Sequence, residues 1–204
     1  MMTKNIVIMG KPGSGKGTIT DLIIKNNHEY KYININAGDL LRNEKETGSV
    51  LGNKISSIID RGNLVPDSLI GNMIATKLNS EDLYNKNIIF DGYPRSVQQA
   101  KDLDDLINID LVINLDCTDM MSIDRIMVRS ETSNREDDSS LSIIKDRLLN
   151  YWKITEPVNE YYKKDNRFIN IDSSLPIEDV YLKVLEYINV QFDNSLNLSY
   201  SNKY

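Results

Sequence analysis

Apolar residues along this chain recur in two rhythms. Short continuous runs alternate with stretches in which apolar positions fall three or four apart, the signatures of buried strands and of helices packed on them. Asn5–Met9 is the first run, ending at Gly10; Tyr32–Ile35, Asn87–Phe90, Leu111–Leu115 and Phe168–Ile171 follow. Helical spacing marks Thr18–Lys25, where Ile19, Leu22 and Ile23 recur at helical intervals. It returns in Gly38–Arg42, Val50–Asp60, Pro66–Leu78, Ser96–Leu106, Met120–Val128 and Ile177–Val190. Ile143–Tyr162 reads as a longer helix kinked or interrupted at Pro157, since proline has no N–H and its ring crowds the preceding turn. Strands alternating with helices specify an α/β fold, a five-stranded parallel sheet with helices on both faces. No repeat or long linker divides the chain, so residues 1–192 form one domain. The polar tail 193–204, without periodicity, is expected to be disordered.

A length of 204 residues and an apolar fraction of 40% allow one sizeable core. The net charge of -6 argues against a general nucleic-acid binder, which needs a positive surface to meet the phosphate backbone. It does not exclude a small phosphorylated ligand, because a few placed arginines make a local positive pocket. The single cysteine, Cys117, permits no internal disulfide and no Cys-rich zinc site. The N-terminus lacks a signal-peptide pattern, and no run approaches about 18 apolar residues. A soluble cytoplasmic protein, not bound to membranes, is expected.

The strongest local feature is Gly10-Lys11-Pro12-Gly13-Ser14-Gly15-Lys16-Gly17-Thr18, between the first strand and the first helix. Glycines let the backbone curl so that successive N–H groups point at an anion, and the helix N-terminus adds its positive end. Lys16 then supplies a mobile charge to the β- and γ-phosphates. The pattern departs from the general G-x-x-x-x-G-K-S/T form: Gly17 takes the hydroxyl position and Thr18 follows one residue later. A glycine turn that merely ends a strand is the plain alternative. The order of strand, loop, lysine and helix weighs against it.

From the ending Gly15-Lys16-Gly17-Thr18 onward the sequence resembles the adenylate kinase family. Asn36-Ala37-Gly38-Asp39-Leu40-Leu41-Arg42 looks like the start of its monophosphate-binding segment, and Arg61-Gly62-Asn63-Leu64-Val65-Pro66-Asp67 like the segment's return. Asp91-Gly92-Tyr93-Pro94-Arg95 matches its Asp-Gly-Phe/Tyr-Pro-Arg signature. Arg135-Glu136-Asp137-Asp138 and Arg147-Leu148 match the end of the lid and the helix beyond. Five ordered blocks span about Asn5 to Ile188. The resemblance implies a P-loop NTPase fold with a monophosphate-binding helical insertion at about 36–66 and a short lid at about 129–139. It also implies a monomer.

The same resemblance assigns roles. Gly13, Ser14, Gly15, Lys16, Gly17, Thr18, Arg125, Arg129 and Leu175 fall at ATP-binding positions, Arg125 against the donor adenine and Leu175 through its backbone. Ala37, Arg42, Asn63, Leu64, Val65, Gly92, Arg95, Gln99, Arg135 and Arg147 fall at monophosphate-binding positions. Lys16, Arg95, Arg129, Arg135 and Arg147 form the catalytic set. Asp91, at a strand end, and Asp39 are expected to hold Mg²⁺ through water. The physical reading agrees: joining two polyanions needs cations spread over both, and the planar fork of arginine binds phosphate bidentately. No nucleophile is needed. His28 reads as a surface residue, Cys117 as core and Trp152 as packing. The lid residues Ser130-Glu131-Thr132-Ser133-Asn134 carry neither the length nor the ligands for a zinc site, so no zinc is expected.

Two positions bear on the acceptor, and they disagree. Adenylate kinases usually carry Thr or Ser before the Gly-Asp pair, where this chain has Ala37, as uridylate–cytidylate kinases do. Gln99, four residues after Arg95, is the adenylate kinase marker. A Gln amide offers an acceptor beside a donor, matching N6 and N1 of adenine, and the cytosine edge matches as well. AMP with ATP as donor is the leading expectation, and UMP/CMP kinase activity the alternative. A nucleotide-binding protein without catalysis would be expected to have lost Lys16 or several arginines; all are present.

Overall fold

The structure, a computed structural model, describes residues 3–26, 31–80, 83, 86–133, 135–164 and 166–201, with side chains through Gln191. Five strands pair in parallel: β1 (Asn5–Gly10), β2 (Ile33–Asn36), β3 (Ile88–Asp91), β4 (Leu111–Asp116) and β5 (Phe168–Asp172). Their order across the sheet is β2-β3-β1-β4-β5. Parallel neighbours need crossovers. Helix α1 (Lys16–Asn26) leads from β1 to β2, and α2 (Ala37–Glu46), α3 (Val50–Ile59) and α4 (Asp67–Leu78) lead on to β3. Helix α5 (Val97–Leu106) joins β3 to β4. Helices α6 (Asp119–Ser130), α7 (Leu141–Asn150) and α8 (Glu156–Tyr162) precede β5, and α9 (Ile177–Ser201) follows it. No helix among the described residues is long and apolar enough to cross a membrane.

The period of two along each strand divides the core into two layers. Ile6 and Ile8 of β1, with Ile113 and Leu115 of β4, pack on Ile19 and Ile23 of α1 and Val184 and Ile188 of α9. Val7 and Met9, with Phe90 and Val112, pack against Ile74 of α4, Leu103 of α5 and Val158 and Tyr162 of α8. Ile6, Val7 and Ile8 are all fully buried. Burial on both faces is why the strands read as continuous apolar runs instead of alternating ones.

This layering positions the site. From β1 the chain passes to α1 on one face, and from its neighbour β3 it passes to α5 on the other. The crevice between such diverging exits, at the carboxyl ends of the strands, is where open α/β sheets hold ligands.

Most elements begin and end within a few residues of the sequence pattern, with three differences. Helix α2 runs from Ala37 to Glu46, four residues beyond Arg42. The expected interruption near Pro157 lies upstream, as a π-helical turn over Tyr151–Thr155. Pro157 cannot donate to the carbonyl four residues back, and a wider turn just before it takes up the mismatch. Helix α9 carries its backbone to Ser201, past Asp193 where a disordered tail was expected, since adding a residue to an existing helix costs far less than starting one. Residues 202–204, His28 and Asn134 lie outside the described residues.

Candidate active site

The loop Gly10–Gly15 is wedged between β1 and α6. Gly13 has φ +76°, and a Cβ there would lie 2.5 Å from the Ser122 carbonyl oxygen, so only glycine fits so close to α6. The Ser122 hydroxyl donates to the Pro12 carbonyl from the same helix. Lys11 turns away from the crevice. Its buried ammonium lies 2.9 Å from Asp119 Oδ1, 3.8 Å from Asp116 Oδ1 and 4.5 Å from the Trp152 ring centre. The Trp152 indole N–H donates to Asp119 Oδ2 at 3.0 Å. Trp152, expected as a packing residue, is half exposed and forms one wall of a cationic cage that ties the loop to α6 and the π turn.

Lys16, the first residue of α1, folds back over the loop. Its ammonium donates to the carbonyls of Gly10 at 2.7 Å and Lys11 at 2.8 Å. Burial pushes its pKa down to about 7; Asp91 opposes the shift, while Arg95, Arg147 and Arg129 add to it. Asp91 ends β3 and is almost fully buried. Burial raises its pKa, against the charges of Lys16 and Arg95 and a hydrogen bond from Asn36 Nδ2 at 2.6 Å. Asn36 also caps α2, its Oδ1 accepting the Asp39 N–H at 2.9 Å.

These groups line one cavity of about 370 Å³, together with Gly13, Gly15, Gly17 and Thr18. Five arginines converge on it: Arg42, Arg95, Arg129, Arg135 and Arg147. Arg95 Nε donates to the Gly92 carbonyl at 2.8 Å. Burial first, then the charge of Arg147, lowers the pKa of Arg95 to about 10, still charged at neutral pH. Burial and the charges of Arg42 and Arg129 lower that of Arg135. Such mutual repulsion leaves the cavity short of negative charge, the condition for binding polyanions.

Asp138 organises two of the arginines. Its side chain has no exposed surface and sits in a single 3-10 turn, Glu136–Asp138. It accepts from Arg129 Nε at 2.8 Å and Nη2 at 2.9 Å, and from Arg147 Nη1 at 2.5 Å. Burial disfavours its charge, but these arginines hold its carboxyl below the usual range.

The far end of the cavity is apolar. Ala37, Leu41, Ile59, Leu64, Val65 and Ile70 line it, with Asn63 and the buried Gln99. Nearby, the segment carrying α2 and α3 meets the Glu136–Asp138 turn and α7. Lys45 of α2 pairs with Asp60 at 2.9 Å and with Glu136 at 2.5 Å. Asn150 Nδ2 donates to the Gly62 carbonyl at 3.0 Å. Gly62 has φ +76°, and a Cβ on it would lie 2.9 Å from Arg147 Cγ.

Seventeen of the residues singled out from sequence line this one cavity, and four do not. Ser14 is buried under the loop, its Oγ 3.4 Å from the Lys16 ammonium. Arg125 Nη2 donates to the Ser173 carbonyl at 2.8 Å, and Leu175 packs against the α1–α9 layer. Asp39 is paired with Arg42 at 2.5 Å and is not a lining residue. Cys117 is buried. The sequence blocks contained Asn36, Asp67 and Asp138 but gave them no site role, nor Tyr151 any; Asn36 and Tyr151 line the cavity, Asp67 holds Gln99, and Asp138 holds Arg129 and Arg147. Asn36 carried a signal, an Asn directly after an apolar run and at a helix start. Asp138 stood in a row of three acids, and nothing in their order tells which one is buried. Among the described residues, no group of three or more His, Cys, Asp or Glu side chains could hold a metal ion.

A sequence model of the adenylate kinase family matches residues 8–167. The adenylate kinase of Parabacteroides distasonis is 38% identical over 190 residues, covering 91% of this chain and 97% of that protein. Adenylate kinase isoenzyme 1 of Homo sapiens is 35% identical over 188 residues, covering 92% and 95% respectively. The adenylate kinase of Porphyromonas gingivalis is 34% identical over 190 residues. With the parallel sheet, the phosphate loop on β1 and the arginine-lined crevice beside it, these matches place the chain in the adenylate kinase family.

Proposed function

We propose that this protein is an adenylate kinase, transferring the γ-phosphoryl group of ATP to AMP and giving two ADP, reversibly. One observation carries the reading: Lys16, Asp91 and five arginines converge on a single cavity that is cationic at the loop and apolar at the end holding Gln99. The bond from the γ-phosphorus to the bridging oxygen of ADP breaks, and a bond to an AMP phosphate oxygen forms. Little covalent chemistry is asked of the protein, so catalysis rests on alignment and charge.

The loop N–H groups of Gly13, Ser14, Gly15, Gly17 and Thr18 hold the ATP phosphates. Lys16 leaves the Gly10 and Lys11 carbonyls to reach the β- and γ-oxygens. Arg42 and Arg95 hold the acceptor phosphate, and Arg129, Arg135 and Arg147 close on the transferring group. Arg125 and Leu175 flank the donor base on the outer side of the loop. Ala37, Asn63, Leu64, Val65, Gly92 and Gln99 enclose the acceptor base and its sugar.

The site suits a hydrated divalent cation. Asp91 is a buried carboxylate at a strand end, and the facing Gly17 leaves the space open, a Cβ there lying 3.7 Å from Asp91 Oδ2. Asp91 would hold Mg²⁺ through water, with Asp39 contributing charge from beyond its pair with Arg42. Mg²⁺ held there with ATP would withdraw negative charge from the phosphates. The reading includes a cytoplasmic monomer without zinc.

The test is ATP-dependent phosphorylation of AMP, CMP, UMP, dTMP and GMP in parallel, with Mg²⁺ and a control lacking acceptor. AMP is expected to be strongly preferred, with almost no ATP consumed in the control. Preference for CMP or UMP would make Ala37 the better marker and overturn the assignment. ATP consumption independent of acceptor would make the protein a hydrolase.

A further inference from the structure

Gln99 is held from several directions. Its Oε1 accepts the backbone N–H of Arg95 at 2.7 Å, and its Nε2 donates to Asp67 Oδ1 at 2.7 Å. Asp67, in the first turn of α4, is fixed in turn. Its Oδ2 accepts the Ser96 hydroxyl at 2.7 Å, and Ser96 Oγ caps α5 by accepting the N–H of Gln99 at 3.1 Å. The ring of bonds therefore starts and ends on Gln99. Gln99 lines the cavity, whereas Asp67 stands behind it.

A primary amide has two N–H donors and an oxygen with two lone pairs. Arg95 and Asp67 take one of each, which leaves one lone pair and one N–H for a ligand. Turning the amide over would set Nε2 against the Arg95 N–H and Oε1 against the Asp67 carboxylate. Donor would face donor and acceptor would face acceptor around a side chain that is 2% exposed, where unmade hydrogen bonds are costly. Of the two locks, the carboxylate is the stronger because it is charged.

We propose that Asp67 is a positioning residue for base selection. By fixing the Gln99 amide in one orientation, it selects a base edge with an exocyclic amino group beside an unprotonated ring nitrogen. It rejects the edge with a carbonyl beside a ring N–H. The inference rests on the monophosphate-kinase reading of the cavity and adds to it a residue that never touches the nucleotide.

The experiment compares AMP with IMP, which has the same ring size and the opposite edge. Values of kcat/KM for both are measured on the full chain, on Asp67→Ala and on Asp67→Asn, with thermal unfolding as a check on folding. Asp67→Leu, closer in size, repeats the test if alanine loosens the segment. Losing the carboxylate leaves only the weaker Arg95 N–H lock to hold the amide, so the flipped orientation becomes accessible and the AMP-to-IMP ratio should fall by roughly tenfold. Asp67→Asn, which still accepts through Oδ1, should restore most of the ratio. Equal losses on both substrates, with the ratio unchanged, would mean that Asp67 is merely structural and overturn the proposal. Absence of AMP phosphorylation by the wild type would overturn the activity itself, and this inference with it.

Discussion

Replacing Asp138 with Asn tests whether Arg129 and Arg147 are placed by a carboxylate or only collected by the cavity. The substitution keeps shape and volume but removes a charge that three guanidinium N–H groups share, from Arg129 Nε and Nη2 and Arg147 Nη1. It also sets an amide NH₂ against at least one arginine donor. A hydrogen bond to a charged group contributes about 1.5–3 kcal/mol, and breaking a buried pair from one side costs about 3–5 kcal/mol. The arginine side chains are 34% and 17% exposed, so water replaces part of what they lose. A loss of about 2 kcal/mol is expected, seen as a urea midpoint lower by roughly 1 M. Misplacing a catalytic group by about 1 Å can cost about a hundredfold in rate, so kcat should fall on that order. The acid limb offers a separate check. A carboxyl held below its usual range stabilises the fold above the unfolded value, and this stabilisation is lost as pH falls through the folded value. The variant should therefore lose less stability on acidification than the wild type. A kcat within threefold of wild type, beside a lowered midpoint, would refute positioning and leave Asp138 as a structural brace.

Three further outcomes follow from the charges of the site. Lys16 titrates near pH 7 in the free protein because burial outweighs Asp91, so at pH 8.5 binding of a polyphosphate should draw in close to one proton. At pH 6 Lys16 is already charged and uptake should be small; calorimetry in buffers of different ionisation enthalpy measures it, and no uptake at pH 8.5 would falsify the low value. The unfolded chain binds this proton up to its ordinary pKa of 10.5, so Lys16 also makes stability rise with pH between about 7 and 10.5. The Lys45–Glu136 pair joins α2 to the Glu136–Asp138 turn, but the Glu136 side chain is 65% exposed, which limits the pair to about 1 kcal/mol or less. Glu136→Gln should raise the KM for AMP by at most about fivefold, a difference from the wild type that salt removes by screening the pair; a rise beyond about tenfold would show the pair to be stronger than exposed pairs are.

What could be read in the sequence was what depends on neighbours along the chain. Asn5–Met9 announced a buried strand because Ile6, Val7 and Ile8 had to be apolar on both faces, and Gly10–Lys16 announced the phosphate loop because curling a backbone needs glycines in series. The arginines were found as an ordered set, yet each alone is indistinguishable from a solvated surface charge. Harder to read were the partners that hold those residues. Asp67 lies 32 positions from Gln99. Asp138 differs from Asp137 and Glu136 only in which of the three the turn buries. Asp39 stood where a metal-site carboxylate was expected, but Arg42, one helical turn on, takes up one of its oxygens. The groups that line the cavity could be named from sequence because the chemistry proposed for it restricts their type. The groups behind them need only accept a hydrogen bond in the right place, a task open to many residues at many positions. Their identity therefore emerges only when the fold brings α4 beside α5 and the Glu136–Asp138 turn beside α7.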